Sequence, residues 1–213
     1  MSNSSLIFAM KQPTWKEFLS DRKGMVLAVV TFATLFITLF SYTRFLNSVE
    51  QRQGLVFQDP IHALVGPVDM TWPIFIVLYG ALIVAIVAMA RTPTTLFKAI
   101  RAYTMLIGLR IICMWLLPLD PPTTMIPLGD PLVQMFTSGS SVPLTRDLFF
   151  SGHTSILCVI GFVLPNRVWK TVFFVLAGIV GTAVILQHVH YSIDVVVAPL
   201  AAWAAASLSG AAE

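Results

Sequence analysis

Apolar residues fall along this chain in blocks separated by short polar stretches. Six blocks approach the length of about 20 residues that the hydrocarbon core of a bilayer requires of a helix. They cover residues 25 to 44, 72 to 90, 99 to 117, 149 to 164, 171 to 187 and 191 to 209. The pattern is strongest in the first three. The fourth is short and stops at Pro165, and the sixth is diluted by Asp194, Pro199 and many alanines. The blocks predict an all-α integral membrane protein of six transmembrane helices, with residues 25–209 forming the membrane domain. The 24 residues ahead of it form an N-terminal arm whose Trp15, Phe18 and Leu19 give it amphipathic character suited to the interface. That arm carries acidic and basic groups without an apolar core, and no small-residue cleavage site follows the first block, so the first block is expected to stay as an anchor.

Composition supports the same class. Hydrophobic residues make up 57% of the 213 and charged residues 11%, whereas soluble domains carry about 25% charged residues. The placement of the cations adds an orientation. Lys11, Lys16, Arg22, Lys23, Arg91, Lys98, Arg101, Arg167 and Lys170 fall on one side of a six-span arrangement, and Arg44, Arg52 and Arg146 on the other. Positive flanks stay cytoplasmic, so both termini are expected inside and the loops at 45–71 and 118–148 outside. The formal net charge of +3 then reflects membrane flanks and gives no reason to expect nucleic-acid binding. Cys113 and Cys158 each sit inside an apolar block, where a small buried residue is the expected role and a disulfide is not.

The loops differ in kind. The connections at 91–98 and 165–170 are short and basic, as hairpins between antiparallel helices would be. The loop at 45–71 carries Asp59, His62 and Asp69, and the Pro-rich loop at 118–148 carries Asp120, Asp130, Arg146 and Asp147. A connection of the latter length more often serves function than mere linkage, and it is placed to cover a site. The small side chains from Ala198 to Ala206 allow close helix approach. No internal repeat or low-complexity tract is evident.

The candidate chemistry lies in two motifs at the predicted outer ends of the last helices: Asp147-Leu148-Phe149-Phe150-Ser151-Gly152-His153-Thr154 and His188-Val189-His190-Tyr191-Ser192-Ile193-Asp194. His190 and Asp194 stand four apart at the start of a helical run, which places them on one face. A carboxylate on one imidazole nitrogen fixes the tautomer and leaves the other nitrogen as a nucleophile or base; the alternative is a pair that only satisfies a partly buried carboxylate. Ser151-Gly152 at a helix start offers N–H groups and close access to an anion, and His153 can protonate a leaving oxygen. The alternative there is an ordinary N-cap made by Ser151 or Asp147. Arg110 lies about 10 Å inside the third block at helical rise, so it must pair with Asp194 or Asp147 or hold a bound phosphate, to which a guanidinium is well shaped. His188 points away from His190 on a helix and reads as a wetted interfacial residue. His62 reads as solvated surface. Tyr191 and Ser192 are placed to line a head-group pocket; the alternative for Tyr191 is the aromatic belt of the interface.

Together, Asp147-x-x-Phe150-Ser151-Gly152-His153-Thr154 and His188-x-His190-Tyr191-Ser192-x-Asp194-Val195-Val196-Val197-Ala198 resemble the two C-terminal motifs of the sphingomyelin synthases, a branch of the type 2 phosphatidic acid phosphatase superfamily. Arg110-Ile111-Ile112-Cys113-Met114 ahead of Leu117-Pro118 is similar to the arginine-bearing third span of that family. The resemblance covers roughly residues 98 to 200; the first two blocks match only in hydropathy and count. It implies six helices with both termini cytosolic, a phosphohistidine intermediate, no metal and no cofactor. By position it implies His190 as nucleophile on phosphorus, Asp194 as its orienting partner and His153 as acid for the departing alcohol and base for the incoming one. It also implies Ser151, Gly152 and Arg110 as holders of the phosphoryl oxygens. Asp147 and Tyr191, beside these residues in sequence, are expected in the substrate pocket.

The phosphatase branch carries an arginine six positions before its nucleophilic histidine, where this chain has Val184. That difference favours head-group transfer. Ser192 stands where the animal synthases tend to have threonine, and Pro199 where they carry an aromatic residue. The expected activity is movement of a phosphocholine- or phosphoethanolamine-type group from a glycerophospholipid to a lipid alcohol such as ceramide or diacylglycerol, on the outer side of the plasma (cytoplasmic) membrane. A lipid phosphate phosphatase is the first alternative. A non-catalytic lipid-binding protein, or a haem or metal membrane protein using the histidines, is the second.

Overall fold

The computed structural model describes residues 12–129 and 144–211. Lys11 and Asp130, assigned above to an inner flank and an outer loop, lie outside the described residues. Eight helices occur among the described residues: α1 (Trp15–Ser20), α2 (Arg22–Val49), α3 (Pro60–Leu64), α4 (Thr71–Met89), α5 (Pro93–Leu116), α6 (Gly152–Val163), α7 (Arg167–Leu186) and α8 (Ser192–Leu208). No strand occurs there; one parallel bridge joins Leu55 to Leu119.

Each of the six apolar blocks coincides with one helix of 12 residues or more, and the helix edges follow local chemistry. α2 and α5 outrun their blocks because Arg22, Lys23 and Lys98 continue the helix beyond the apolar stretch. Pro93 opens α5 at a position where its missing N–H costs nothing. Asn166 caps α7, its Oδ1 accepting from Val168 N–H at 2.9 Å and Trp169 N–H at 3.3 Å. The fourth block is shorter than its apolar run: Phe149 and Phe150 precede the helix, which starts at Gly152 with Ser151 as N-cap.

Consecutive long helices run in alternating directions, so the bundle has two ends. At one end the loops converge: Val68 N–H bonds the Leu186 carbonyl, Ile126 N–H the Gln187 carbonyl and Ser151 N–H the Asp194 carbonyl. Glu50 receives Thr145 and Arg146 N–H there. At the other end α1 folds back, held by its Thr14–Glu17 capping box, by Trp15 Nε1–H on the Ala90 carbonyl at 2.7 Å and by Phe18 stacked on Phe97 at 5.1 Å. Gly24 makes that corner possible, since a Cβ there would lie 2.0 Å from the Phe18 carbonyl oxygen. Lys16, Arg22, Lys23, Arg91 and Arg167 belong to this second end, apart from both motifs.

Helix α6 is the axis of the bundle, packed against α4, α5, α7 and α8. At 12 residues and about 1.5 Å per residue it is too short for a hydrocarbon core about 30 Å thick. Almost all of it is covered by other helices, so lipid need not match its length. α8 lies against it through Ala198, Ala202, Ala205 and Ala206, all fully buried, the close approach that small residues permit. Four helices, α2, α4, α5 and α7, are long and apolar enough to cross a membrane; α6 and α8 are shorter apolar helices. Phe36, Ile37, Trp72, Ile76, Ile83 and Val196 leave more than half their surface uncovered. Such an outward apolar face suits lipid and would be a liability in water. Cys113 and Cys158 are free thiols.

Candidate active site

Two turns meet at the end of the bundle where the loops converge, and each contains one of the motifs. The Ser151 N–H on the Asp194 carbonyl, at 3.0 Å, ties the start of α6 to the first turn of α8.

His190 lies just ahead of α8, so its contact with Asp194 is not the helical face that spacing alone suggests. The chain enters α8 through Tyr191, and Asp194 at the third helical position reaches back. Its Oδ2 accepts the Tyr191 N–H at 3.3 Å and lies 3.2 Å from His190 Nδ1. Opposite a carboxylate, Nδ1 is the protonated nitrogen, which leaves Nε2 with its lone pair. Asp194 is fully buried and His190 is 4% exposed. Burial holds the His190 imidazole below its ordinary pKa, Asp194 opposing and Arg110 and His153 assisting. The ring is therefore neutral near pH 7. Asp194 Oδ1 is buried with no hydrogen-bond partner among the described residues.

His153, half-buried on the first turn of α6, presents its ring to His190 with centroids 6.4 Å apart and planes at 67°. A nucleophile stands about 3–3.5 Å from its target atom, and a general acid about 2.6–3.2 Å from the oxygen it serves. The gap is thus the size one tetrahedral group would bridge. Ser151 Oγ caps α6, accepting from Thr154 N–H at 3.3 Å and from Thr154 Oγ–H at 3.1 Å.

Arg110 pairs with Asp147 and not with Asp194. Nη2 donates to Asp147 Oδ1 at 2.8 Å and to the Asp147 carbonyl at 3.0 Å; Nη1 donates to the Phe150 carbonyl. Nε is shared between Asp147 Oδ1 and Tyr42 Oη, each at 3.0 Å. The guanidinium thus laces the 147–150 turn together. Gly152 is where it approaches α6, for a Cβ there would lie 3.0 Å from Nη1 and 3.1 Å from Cζ.

Two histidine readings are corrected by the geometry. His188 is not wetted: it is 1% exposed, its Nδ1 accepts from Thr124 Oγ at 2.6 Å and its Nε2 donates to the Val65 carbonyl at 3.0 Å. His62 is not simply solvated surface, because its ring stacks on His188 at 3.9 Å and 16°. Tyr191 is 1% exposed, and its hydroxyl is engaged by the loops, donating to the Asp120 carbonyl at 2.9 Å and accepting Phe57 N–H at 3.3 Å. It therefore braces the turn from the loop side.

Spacing alone did not disclose Gln187 or Tyr42. Gln187 is fully buried; its Oε1 accepts Met70 N–H at 3.1 Å, and its Nε2 donates to Thr71 Oγ at 2.8 Å and the Ile126 carbonyl at 3.2 Å. The available signal was an amide ending the apolar block 171–187, just before a histidine-bearing turn. Tyr42 offered none, since an aromatic on a lipid-facing helix is ordinary.

A cavity of about 480 Å³ adjoins the site between α2, α4, α5 and α6. Phe36, Phe40, Leu78, Leu82 and Leu106 line its apolar length, and Arg110, Asp147, Gly152 and His153 its polar part. Among the described residues, no three His, Cys, Asp or Glu side chains converge as a metal would need.

Comparison with known proteins adds one finding. Residues 146–206 match the family model described as PAP2 superfamily C-terminal, a stretch that holds His153, His190 and Asp194 and ends within α8. The match supports the superfamily, whose members are generally enzymes of the phosphatase type. Searches of the curated proteins and of the solved structures found no match.

Proposed function

We propose that the protein is a membrane lipid phosphotransferase that moves a phospho head group from a glycerophospholipid to a lipid alcohol through a phosphohistidine. The observation that carries this reading is the opposition of His153 and His190 at 6.4 Å, with Asp194 fixing the tautomer of the second ring. His190 Nε2 attacks phosphorus, forming a P–N bond as the bond to the diacylglycerol oxygen breaks. His153 gives its proton to that oxygen. In the second half the hydroxyl of ceramide or diacylglycerol attacks phosphorus, its proton passes to His153, and the P–N bond breaks. Positive charge develops on the His190 ring during attack, and the buried carboxylate of Asp194 stabilises it. The start of α6 with Ser151 and Gly152 holds the phosphoryl oxygens, and Arg110 fixes the turn beside them.

A lipid substrate is supported by the cavity, whose apolar walls run from the polar groups into the helix bundle. The orientation follows from the cation count: six crossings, both termini cytoplasmic, and the site at the outer leaflet. The phosphatase reading differs only in the acceptor, water in place of a lipid hydroxyl, and the family match favours keeping it as the second reading.

The test uses purified protein in lipid nanodiscs and a head-group-labelled phospholipid, with and without ceramide or diacylglycerol. Labelled product lipid that depends on the added alcohol is the expected result; release of label to water alone identifies the phosphatase. His190→Ala should lower either rate by at least about 10³-fold, the scale of losing a nucleophile. Equal rates for wild type and His190→Ala would sink the reading.

A further inference from the structure

Tyr42 lies on α2, a helix whose sequence carries nothing of the two motifs, yet its hydroxyl sits between the charges that shape the 147–152 turn. Tyr42 Oη is 3.1 Å from Asp147 Oδ1 and 3.0 Å from Oδ2, and it accepts Arg110 Nε–H at 3.0 Å. A phenol has one proton and two lone pairs, so here it donates to the carboxylate while accepting from the guanidinium. It bridges both members of an ion pair whose arginine side chain is 6% exposed. Arg110 holds the Asp147 and Phe150 carbonyls and abuts Gly152, and the next residue is His153. Removing the hydroxyl leaves Asp147 short of a donor and Arg110 Nε with Asp147 Oδ1 as its remaining acceptor, so the ion pair can shift and carry the turn with it.

Resting on the phosphoryl-transfer reading above, we propose that Tyr42 is a positioning residue that holds His153 where it can protonate the departing alcohol. It does so through Asp147 and Arg110 and touches no reacting atom itself.

The chemistry supplies a readout that a merely structural role would not move. An alkoxide leaving group needs the acid, whereas a nitro-substituted phenol, more acidic than the ~10 of a tyrosine-like phenol, departs without it. The probes are one head group carried as a diacylglycerol ester and as a nitrophenyl ester. Tyr42→Phe keeps the ring volume, so the fold should persist, checked by an unchanged melting temperature in detergent. General acid catalysis contributes about 10²–10⁴-fold. With the acid displaced but present, the single-turnover rate of phosphohistidine formation from the diacylglycerol ester should fall about tenfold, and that from the aryl ester, read as the nitrophenol burst, should change by less than about twofold; the second half-reaction, where His153 serves as base after either ester, does not enter this readout. His153→Ala should show the same asymmetry more strongly. Equal slowing on both esters, or none on the alkyl ester, overturns the role of Tyr42 while leaving His190 chemistry standing. Wild type inactive on both esters removes the transfer reading, and this inference with it.

Discussion

Helices α6 and α8 begin side by side, joined by the Ser151–Asp194 backbone bond, yet their first turns are filled differently. At α8 two carboxylates occupy the amides: Asp59 Oδ2 takes the Ser192 N–H at 2.5 Å, and Asp194 Oδ2 takes the Tyr191 N–H. At α6 the cap is one neutral hydroxyl, Ser151 Oγ on Thr154 N–H. Asp147, the carboxylate nearest in sequence, is turned to Arg110 and Tyr42 instead. A helix start attracts negative charge. α8 meets that demand from its own chain and so grips the turn bearing His190; at α6 no carboxylate meets it, and under the proposed function an incoming phosphoryl group would. On that reading one start serves rigidity and the other a ligand.

The sharpest way to break this contrast is Asp194→Asn. If Asp194 only fastened α8, the amide would leave most of the rate. If it also fixes the His190 tautomer, as its second contact suggests, kcat should fall by about 10³–10⁴-fold with the fold intact, the loss seen when an orienting carboxylate becomes an amide. A change below about tenfold would reduce Asp194 to a cap. Next in size is Gly152→Ala. The added Cβ would press on a guanidinium pinned by four oxygen acceptors from three residues, so the start of α6 or Arg110 must shift. A displacement approaching 1 Å costs up to about 10²-fold, and kcat/KM measured on either lipid should fall roughly ten- to a hundredfold. An active Gly152→Ala enzyme would mean that the α6 start does not hold the phosphoryl group.

Sequence disclosed one half of this contrast better than the other. Each of the six apolar blocks has its own helix, four of them long and apolar enough to cross a membrane, and α6 stops at Val163, just ahead of Pro165. Both motif turns were visible because their chemistry is local: His190 and Asp194 are four apart, and Ser151, Gly152 and His153 are consecutive. Even so, the His190–Asp194 contact arises from the entry turn of α8 and not from a helical face. What holds the turns is distant in sequence. Tyr42 meets Asp147 across 105 positions, and His188 meets Val65 across 123. Periodicity reports only which residues share a face, so it cannot bring α2 to the site or see His62 stacked on His188. The backbone adds a second illegible feature: Phe149 (φ 106°) and His188 (φ 58°) both hold left-handed φ values, one in each turn. Such conformations cost about 1–3 kcal/mol each and persist only where the surroundings impose them.

Asp59→Ala probes the closed start alone. It removes the acceptor for Ser192, Ile61 and His62 N–H, so α3 and α8 both lose a cap. Caps of this kind are worth about 0.5–2 kcal/mol each, which should appear as a lower melting temperature in nanodiscs. The rate per folded molecule should stay within about threefold of wild type, because Asp194 still holds His190. A large loss of rate with unchanged stability would place Asp59 in the chemistry and erase the distinction between the two starts.

Acid should weaken the closed start by the smallest and most gradual amount. Two groups there, His190 and His62, titrate below the ordinary imidazole value. Burial is the first cause for both; for His62, the neighbouring His188 adds to it and Asp59 opposes. A folded-state pKa below the unfolded value of about 6.5 means that the unfolded chain binds protons first as pH falls. The stability contributed by each neutral ring is therefore fully present above that value and is lost as pH drops towards the folded pKa. Melting temperature should be flat from pH 8 to about 7 and decline below about 6.5, and kcat/KM should lose its nucleophile over a lower range, as His190 itself protonates in the folded enzyme. His62→Gln should flatten part of the stability decline and leave the rate profile in place. If both profiles moved together in that variant, the stacked pair would belong to the catalytic turn's chemistry, and the separation between a gripping start and a receiving one would fail on its own side.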